Sequence, residues 1–216
     1  MGRRKGRAAG RLRLACAGVF GRLHVIPRLS SFMARHPGIE IDLVMQDSFV
    51  DLVEEGIDLS LRVGEVRDLS LVGRKIGQSR RSIVVTPAYL ALHGTPTSPE
   101  DLPEHRCLVY GGHAAGQSWS FQTEKGLINV PITGPLRLNS TEAIRAAVLE
   151  GMGVGYVPIW HFVENEIDRG LLRFLLQEFE PPPLPITAVY TTRRHLPPKH
   201  VQQSISSLLN SSATPS

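Results

Sequence analysis

The sequence contains few of the residues on which disulfide-stapled folds, membrane spans and metal centres depend. Of its 216 residues only two are cysteine, and only 6% are aromatic. Cys16 and Cys107 lie far apart, each in an apolar run, which favours buried reduced thiols over a disulfide. No run approaches the roughly 20 apolar residues that cross a bilayer. The sequence therefore predicts neither a disulfide framework nor contact with a membrane.

Motifs for catalysis and metal binding are also missing from the sequence. It contains no H-E-x-x-H or C-x-x-C spacing for a metal and no G-x-S-x-G elbow for a nucleophile. The glycines of GMGVG, residues 151–155, follow a predicted helix instead of opening one, which argues against a dinucleotide-binding turn. We therefore expect no metal, no cofactor and no catalytic residue, and so no enzyme.

The basic character of the chain is concentrated at its start. The formal charge is +4, but the first 13 residues carry six Lys or Arg and no acid, so the remainder is slightly acidic. We predict that residues 1–9 are a basic disordered tail or linker remnant, with a segment that touches nucleic-acid phosphates as the alternative. Arg11, Arg13 and Arg22 interrupt the apolar run that a signal peptide would need. We therefore expect a cytoplasmic protein.

The first third of the chain alternates between strand and helix patterns. The apolar spacing predicts strands at 11–16, 39–45 and 57–64, with helices at about 23–33 and 48–56 between them. The order strand, helix, strand, helix, strand is typical of a parallel sheet with helices on its faces.

A second set of elements begins near residue 81. Strands are predicted near 81–86, 107–110, 118–121, 127–132, 134–139, 154–158 and 186–194, with helices near 87–93, 141–150 and 160–170 and a last helix from about 197. The prolines of 178–185 predict an extended, irregular segment. We expect two α/β lobes, the first of residues 10–80 plus 186–210 and the second of 81–185, followed by a disordered tail at 211–216.

The segment from 138 to 158 carries the strongest indication of a binding site. Asn139 as helix N-cap with Glu142 three residues later would form a capping box, which is a structural role. Ser140 and Thr141 add hydroxyls beside the free N–H groups of the first turn, where an anion or a carbonyl could bind. We assign Gly151 to the helix exit. Other polar residues follow predicted strands: Gln46, Asp47, Ser48, Arg62 and Thr86. Together they predict a cleft that binds a small molecule without transforming it.

Four stretches of the sequence, in order, resemble the effector-binding domain of LysR-type transcriptional regulators. They are GRLRLACAGVFGRLHVIPRLSSFMARHPGIEIDLVMQDSFVDLVEEGIDLSLRVG, RRSIVVTPAYLALHGTPTSPEDLPEHRCLVY, LRLNSTEAIRAAVLEGMGVGYVP and LPITAVYTTRRHLPPKHVQQSISSLL. The resemblance covers about residues 10–210. It implies a two-lobed α/β fold like that of type 2 periplasmic binding proteins, with a mixed, mainly parallel sheet flanked by helices in each lobe. It also implies a small-molecule effector in the cleft and a homodimer or homotetramer.

The resemblance also implies a set of effector-binding residues. They are Gly18, Val19, Phe20, Ser48 and Arg62 in the first lobe and Thr86, Asn139, Ser140 and Thr141 in the second. Many relatives carry Ser or Thr where Val19 stands, to bind a carboxylate, so we expect that contact to be lost or moved. The family's helix-turn-helix is expected to be absent, since the resemblance begins near Met1, so DNA would be reached only through a domain outside this sequence.

Two further functions fit the same fold. A solute-binding protein of a transporter would need export, and an enzyme would need an acid or base at the strand ends. Phe20, Trp119 and Phe121 could line an aromatic subsite, although core packing is favoured for each. We expect the effector to be a small molecule, for which an organic acid is one candidate class.

Overall fold

A computed structural model describes residues 9–48, 50–66, 68, 70–111, 117–162 and 166–191. The predicted tails and the predicted last helix from about 197 lie outside the described residues. The chain divides into two compact units, with the breaks between Gln78 and Ser79 and between Leu184 and Pro185. Residues N-terminal to the first break and C-terminal to the second form unit 1, and the residues between the breaks form unit 2.

Unit 1 is built on a five-stranded sheet with the order β2-β1-β3-β12-β4. Its strands are β1 (Ala9–Cys16), β2 (Gly38–Met45), β3 (Leu59–Val63), β4 (Leu71–Ser79) and β12 (Leu184–Thr191). β1 runs parallel to β2 and to β3, as the alternation of strands and helices predicts. β12 returns from the far end of the chain and pairs antiparallel with β3.

The connection from β1 to β2 is one continuous helical segment, α1. It begins as an α-helix at Gly18–Phe20, passes through a π-helical stretch at Gly21–Val25 and ends as an α-helix at Ile26–Arg35. Val25 and Phe32 are almost fully buried because they lie on the face that packs against the sheet.

The predicted helix over 48–56 is wrong for the part that the structure describes. Residues 52–56 form a hydrogen-bonded turn. The carboxylate of Asp51 accepts the N–H groups of Val53 at 2.8 Å and Glu54 at 3.0 Å. Aspartate that bonds the backbone two residues ahead stabilises a turn in competition with a helix. Gly56 ends the turn with a φ of 65°, the left-handed conformation that glycine adopts easily.

The described residues of unit 2 form three small sheets, two of which are antiparallel, in contrast to the mainly parallel sheet expected for the second lobe. In the first sheet, β5 (Arg81–Val85) lies between β10 (Gly155–Pro158) and β11 (Arg173–Leu175) and is antiparallel to both. In the second, β6 (Val109–Tyr110) pairs parallel with β9 (Arg137–Leu138). In the third, β7 (Ser118–Thr123) pairs antiparallel with β8 (Gly126–Pro131). The described part of unit 2 also contains two α-helices, α2 (Pro87–His93) and α3 (Thr141–Leu149). It has 3-10 turns at Pro99–Glu104, Ile159–Phe162 and Gln177–Phe179.

The predicted helix at 160–170 is replaced by shorter structure. The 3-10 turn ends at Phe162, residues 163–165 lie outside the described part, and 166–170 form a turn. Gly170 has a φ of 70°, and the N–H of Leu171 donates to the carbonyl of Glu166 at 2.8 Å. The left-handed conformation of Gly170 and the hydrogen bond from Leu171 back to Glu166 end the turn, so a helix does not continue toward β11.

Alternate residues of β5 divide the core of unit 2 into two clusters. Ile83 and Val85 lie in one cluster and Val84 in the other, because neighbouring strand residues point to opposite faces. Trp119 and Phe121 belong to the first cluster and are 4% and 1% exposed, so core packing is confirmed for both.

The two cysteines are buried and free, as predicted. Among the helices in the described part of the chain, none has the length and apolar character to traverse a bilayer.

Candidate functional site

The register of β1 and β2 places a carboxylate at the start of α1. Cys16 pairs with Met45, and the N–H of Gln46 extends the ladder by donating to the Cys16 carbonyl at 3.0 Å. One step further along both strands, Asp47 lies beside Gly18. The Gly18 N–H donates to Oδ1 of Asp47 at 3.0 Å. Because Ala17 at the N-cap has no polar side chain, Asp47 caps α1 from the segment that follows β2.

Helix α1 packs closely against the ends of both strands. A Cβ on Gly21 would meet the Sδ of Met45 at 2.5 Å and the Sγ of Cys16 at 2.8 Å, so a larger residue there would require these side chains to shift. Burial, and then the negative charge of Asp47, raise the pKa of the Cys16 thiol to about 12. Cys16 therefore stays protonated at neutral pH and acts as a packing residue.

The other predicted site residues of unit 1 differ in exposure. Val19 and Phe20 are 3% and 6% exposed, so their side chains contribute to packing. Ser48 is exposed. Arg62 is half-buried and donates from Nη2 to the Val50 carbonyl at 2.9 Å.

Burial and neighbouring charges have opposite effects on the pKa of Arg62. Burial lowers the pKa of its guanidinium, while the charges of Asp68 and Asp51 act in the opposite direction. The guanidinium thus bonds a backbone carbonyl of its own unit, and the charges of two acidic residues favour its protonated form.

In unit 2, Thr86 caps α2. Its Oγ1 accepts the N–H of Tyr89 at 3.2 Å, and Pro87 occupies the first helical position. A Cβ on Gly151 would lie 3.5 Å from the same Oγ1, so the exit of α3 is beside the start of α2. Thr86 therefore lies beside the C-terminal end of α3. The other predicted residues of unit 2, Asn139, Ser140 and Thr141, lie at the N-terminal end of the same helix.

The start of α3 is capped by Ser140, and the prediction of Asn139 as N-cap is wrong. Oγ of Ser140 accepts the N–H of Ala143 at 3.4 Å, and Asn139 is exposed. With the cap one residue later, the third helical position is Ala143, which has no carboxylate to complete a capping box. Glu142 instead lies 3.6 Å from Arg145. Thr141 is the first helical residue and is half-buried.

The glycines after α3 have the packing roles that the sequence indicated. Gly151 has a φ of 69°, and its N–H donates to the Val148 carbonyl at 2.9 Å. A Cβ on Gly153 would come within 2.1 Å of the Arg106 carbonyl oxygen, and one on Gly155 within 2.6 Å of Val148. These glycines let the chain leave the helix against its neighbours.

Sequence reasoning missed the group of side chains that anchors α3. Arg145, which is 9% exposed, is ion-paired with the buried Glu166. Its Nε donates to the carbonyl of His161 at 3.0 Å. The available signal was an arginine next to Ile144 on a face that otherwise buries Ala147 and Val148. An arginine on a buried helical face needs a carboxylate partner.

These arrangements offer capping hydroxyls, helix N-termini and one carboxylate. Each capping hydroxyl accepts a backbone N–H and retains a proton that it can donate to a bound acceptor. Among the residues with described positions, no three His, Cys, Asp or Glu side chains are grouped so as to hold a metal ion. Polar groups of these kinds are among those that orient small ligands in protein sites.

Three comparisons relate the chain to known proteins. The LysR substrate binding domain model matches residues 5–210. An HTH-type transcriptional regulator of Haemophilus influenzae is 34% identical over 190 residues, which are 88% of this chain and 66% of the relative. The HTH-type transcriptional regulator DmlR of Escherichia coli is 32% identical over 85% of this chain and 60% of its own length. The chain thus spans somewhat less than two thirds of the length of these relatives.

Solved structures of the same kind have the same fold. The regulatory domain of CrgA, a LysR-type transcriptional regulator from Neisseria meningitidis, matches with a TM-score of 0.77 and 29% identity, over 94% of this chain and 98% of that domain. Full-length AphB, a virulence activator of Vibrio cholerae, matches with a TM-score of 0.77 and 28% identity, over 95% of this chain and 69% of its own. The predicted fold class, the α/β type 2 periplasmic-binding-protein-like fold, is confirmed, and the chain belongs to the LysR substrate-binding domain family.

Proposed function

We propose that this chain is the ligand-sensing and oligomerisation domain of a LysR-type DNA-binding transcription regulator that works in the cytoplasm. The observation that carries the proposal is the family match over residues 5–210. The curated relatives are transcriptional regulators, and they continue beyond the matched part. In this proposal, DNA is contacted by a helix-turn-helix domain outside this sequence, and the chain controls that domain without catalysing a reaction.

The proposed effector is a small polar molecule, for which an organic acid is one candidate class. In unit 2 we assign the contact to Thr86, Asn139, Ser140 and Thr141. The N-terminus of α3 supports this assignment, because Ser140 is a neutral cap and the first-turn N–H groups carry partial positive charge. In unit 1 the proposed contacts are Gly18, Val19, Phe20, Ser48 and Arg62, with Val19 and Phe20 limited to their backbone because their side chains are buried.

The proposed control is a shift between conformations of the oligomer. A ligand that binds one conformation more tightly increases its population, by an amount that its difference in affinity sets. In a homodimer or homotetramer, this shift would change the spacing of the attached DNA-binding domains. The effector would thereby change transcription without touching DNA.

Ligand binding and self-association test this function together. Thermal unfolding of the purified chain should shift upward with at least one compound from a panel of organic acids, amino acids and amines. Light scattering should show a dimer or tetramer at micromolar concentration. A strict monomer that no compound stabilises would contradict the proposal. Turnover of a bound compound would instead indicate an enzyme.

A further inference from the structure

Methionines are the exposed sulfur-containing side chains in the described part of the chain. Met33, Met45 and Met152 are 48%, 44% and 51% exposed. The two thiols, in contrast, are buried, and burial raises the pKa of both Cys16 and Cys107 to about 12. Oxidation of cysteine follows thiolate character and exposure, and both are low here. The methionines are therefore the described side chains that a peroxide in solution would oxidise first.

The sulfur of Met45 also packs against α1. Its Sδ lies 2.5 Å from the position that a Cβ on Gly21 would take, and the Sγ of Cys16 lies 2.8 Å from the same position. The thioether thus fills the space beside a glycine that opens the π-helical stretch Gly21–Val25. Met45 is the last residue of β2 and pairs with Cys16, the last residue of β1. It therefore joins the ends of both strands to the helix.

Oxidation would change the character of this contact. A thioether is apolar and packs without a hydrogen bond, whereas a sulfoxide is polar and needs a donor. The neighbouring thiol of Cys16 is 4% exposed and is only a weak donor. A sulfoxide at Met45 is therefore more stable when it turns toward water, and the space beside Gly21 is then left unfilled.

We propose that Met45 is a reversible modification site, at which oxidation by a peroxide loosens the packing of α1 against the ends of β1 and β2. The sulfur takes one oxygen atom from hydrogen peroxide: a sulfur–oxygen bond forms, the O–O bond breaks, and the proton on the transferred oxygen leaves with the other oxygen as water. The sulfur is oxidised by two electrons, and the peroxide is reduced. A methionine sulfoxide reductase reverses the step, with a dithiol as the electron donor and water as the product. The inference holds for any effector, because it concerns the packing of unit 1.

Oxidation of the purified chain with hydrogen peroxide tests the inference. Peptide mass spectrometry measures the sulfoxide at each methionine, and thermal unfolding measures stability. Hydrogen exchange follows the amides of Gly21 and Gln46, which donate to the carbonyls of Ala17 and Cys16. When Met45 is oxidised, we expect the midpoint to fall by about 2–4 °C and both amides to exchange at least about threefold faster. Sulfoxide reductase with a dithiol should restore both properties.

Met45→Leu is the matched variant, because leucine keeps an apolar side chain of similar volume and takes up no oxygen. Its midpoint should change by less than about 1 °C under the same treatment. The double variant Met33→Leu with Met152→Leu removes the two other exposed methionines, and on oxidation it should lose as much stability as the parent. The double variant also tests the inference if Met45→Leu fails to fold.

Three results would overturn the inference. The first is a Met45 that stays reduced while Met33 and Met152 are oxidised. The second is complete oxidation of Met45 with an unchanged midpoint and unchanged exchange at Gly21. The third is an equal fall of the midpoint in Met45→Leu and in the parent, which would assign the effect to another residue.

Discussion

Helix α1 of unit 1 and helix α3 of unit 2 both begin where a strand ends, yet they are capped by different chemistry. The carboxylate of Asp47, which follows the end of β2, caps α1 by accepting the N–H of Gly18. A hydroxyl next to the helix itself caps α3, through Ser140 and Ala143. The first cap is a charged acceptor, while the second is a neutral hydroxyl beside a first turn that also contains Glu142, 3.6 Å from Arg145. The two helix starts thus differ in the charge of the group that caps them.

Two glycines, one in each unit, differ in what would surround an added Cβ, and this difference predicts the largest effect on stability. A Cβ on Gly153 of unit 2 would come within 2.1 Å of a backbone oxygen, whereas one on Gly77 of unit 1 would meet only side-chain atoms of Ile186 from 3.7 Å. Gly153→Ala should lower the free energy of unfolding by about 3 kcal/mol or more, because backbone must move. Gly77→Ala, the control, should change it by less than about 1 kcal/mol. Urea denaturation measures the free energy of unfolding of both variants. Equal losses in the two variants would contradict the inferred difference in packing around Gly153 and Gly77.

The ion pairs of the two units give the next effect. Arg145 and Glu166 in unit 2 have side chains that are 11% and 7% exposed, while Arg11 in unit 1 is 65% exposed beside Asp42. Arg145→Met should lower the free energy of unfolding by about 3 kcal/mol, because it leaves a buried carboxylate without its partner. Arg11→Met should cost less than about 1 kcal/mol.

A double variant separates the lost charge partner from lost packing. Arg145→Met combined with Glu166→Met should recover most of the stability in urea denaturation, since two apolar side chains can replace a buried ion pair. If the two losses simply add, the ion pair does not anchor α3.

The caps themselves predict a smaller effect that separates charge from hydrogen bonding. Asp47→Ala and Ser140→Ala should each cost about 1 kcal/mol through the lost cap. The loss in Asp47→Ala should shrink as salt is raised from about 0.05 M to 1 M, because salt screens the interaction of a carboxylate with the helix dipole. The loss in Ser140→Ala should not depend on salt. Denaturation at both salt concentrations checks this, and identical salt dependence would contradict the comparison.

Histidines in both units predict the smallest effect, a dependence of stability on pH. Burial, and then Arg28, lower the pKa of His24 from its ordinary 6.5. Burial also lowers the pKa of His105, His93 acts in the same direction, and Asp101 and Glu104 oppose it. The neutral forms are therefore favoured by folding. The stability that the two neutral histidines contribute is fully present above about pH 6.5 and is lost as the pH falls below that value.

Thermal unfolding between pH 7.5 and 5.5 measures this dependence. The midpoint should fall toward pH 5.5, and His24→Gln or His105→Gln should each flatten the fall. A midpoint that rises on acidification would contradict the pKa directions.

The sequence predicted the parts of the fold that follow from local pattern. The strands of unit 1 and the glycine exit of α3 are read from apolar spacing and from Gly151. The helix expected at 48–56 failed because Asp51 bonds the backbone ahead of it, a local competitor that apolar spacing does not show. The antiparallel return of β12 depends on pairing partners more than 100 residues apart, which no local pattern specifies.

The sequence predicted where in the chain the candidate site residues lie, but it predicted only some of their hydrogen-bond contacts. Ser140 and Thr86 do lie at helix starts as expected, but the cap on α3 is one residue later than Asn139. Asp47 was noted as a strand-end residue, and its contact with Gly18 follows only once β1 and β2 are aligned in parallel. Arg145 was missed because its partner, Glu166, is distant in sequence.

The most direct test of the central claim is the ligand response of variants at the start of α3. Ser140→Ala and Thr141→Val remove the two hydroxyls on which the unit 2 contact is proposed to depend. With a compound that stabilises the parent, isothermal titration should show a Kd raised about tenfold in each variant, the usual cost of losing a hydrogen bond to a charged group. If both variants bind that compound as tightly as the parent, the start of α3 does not bind the effector and the account is contradicted.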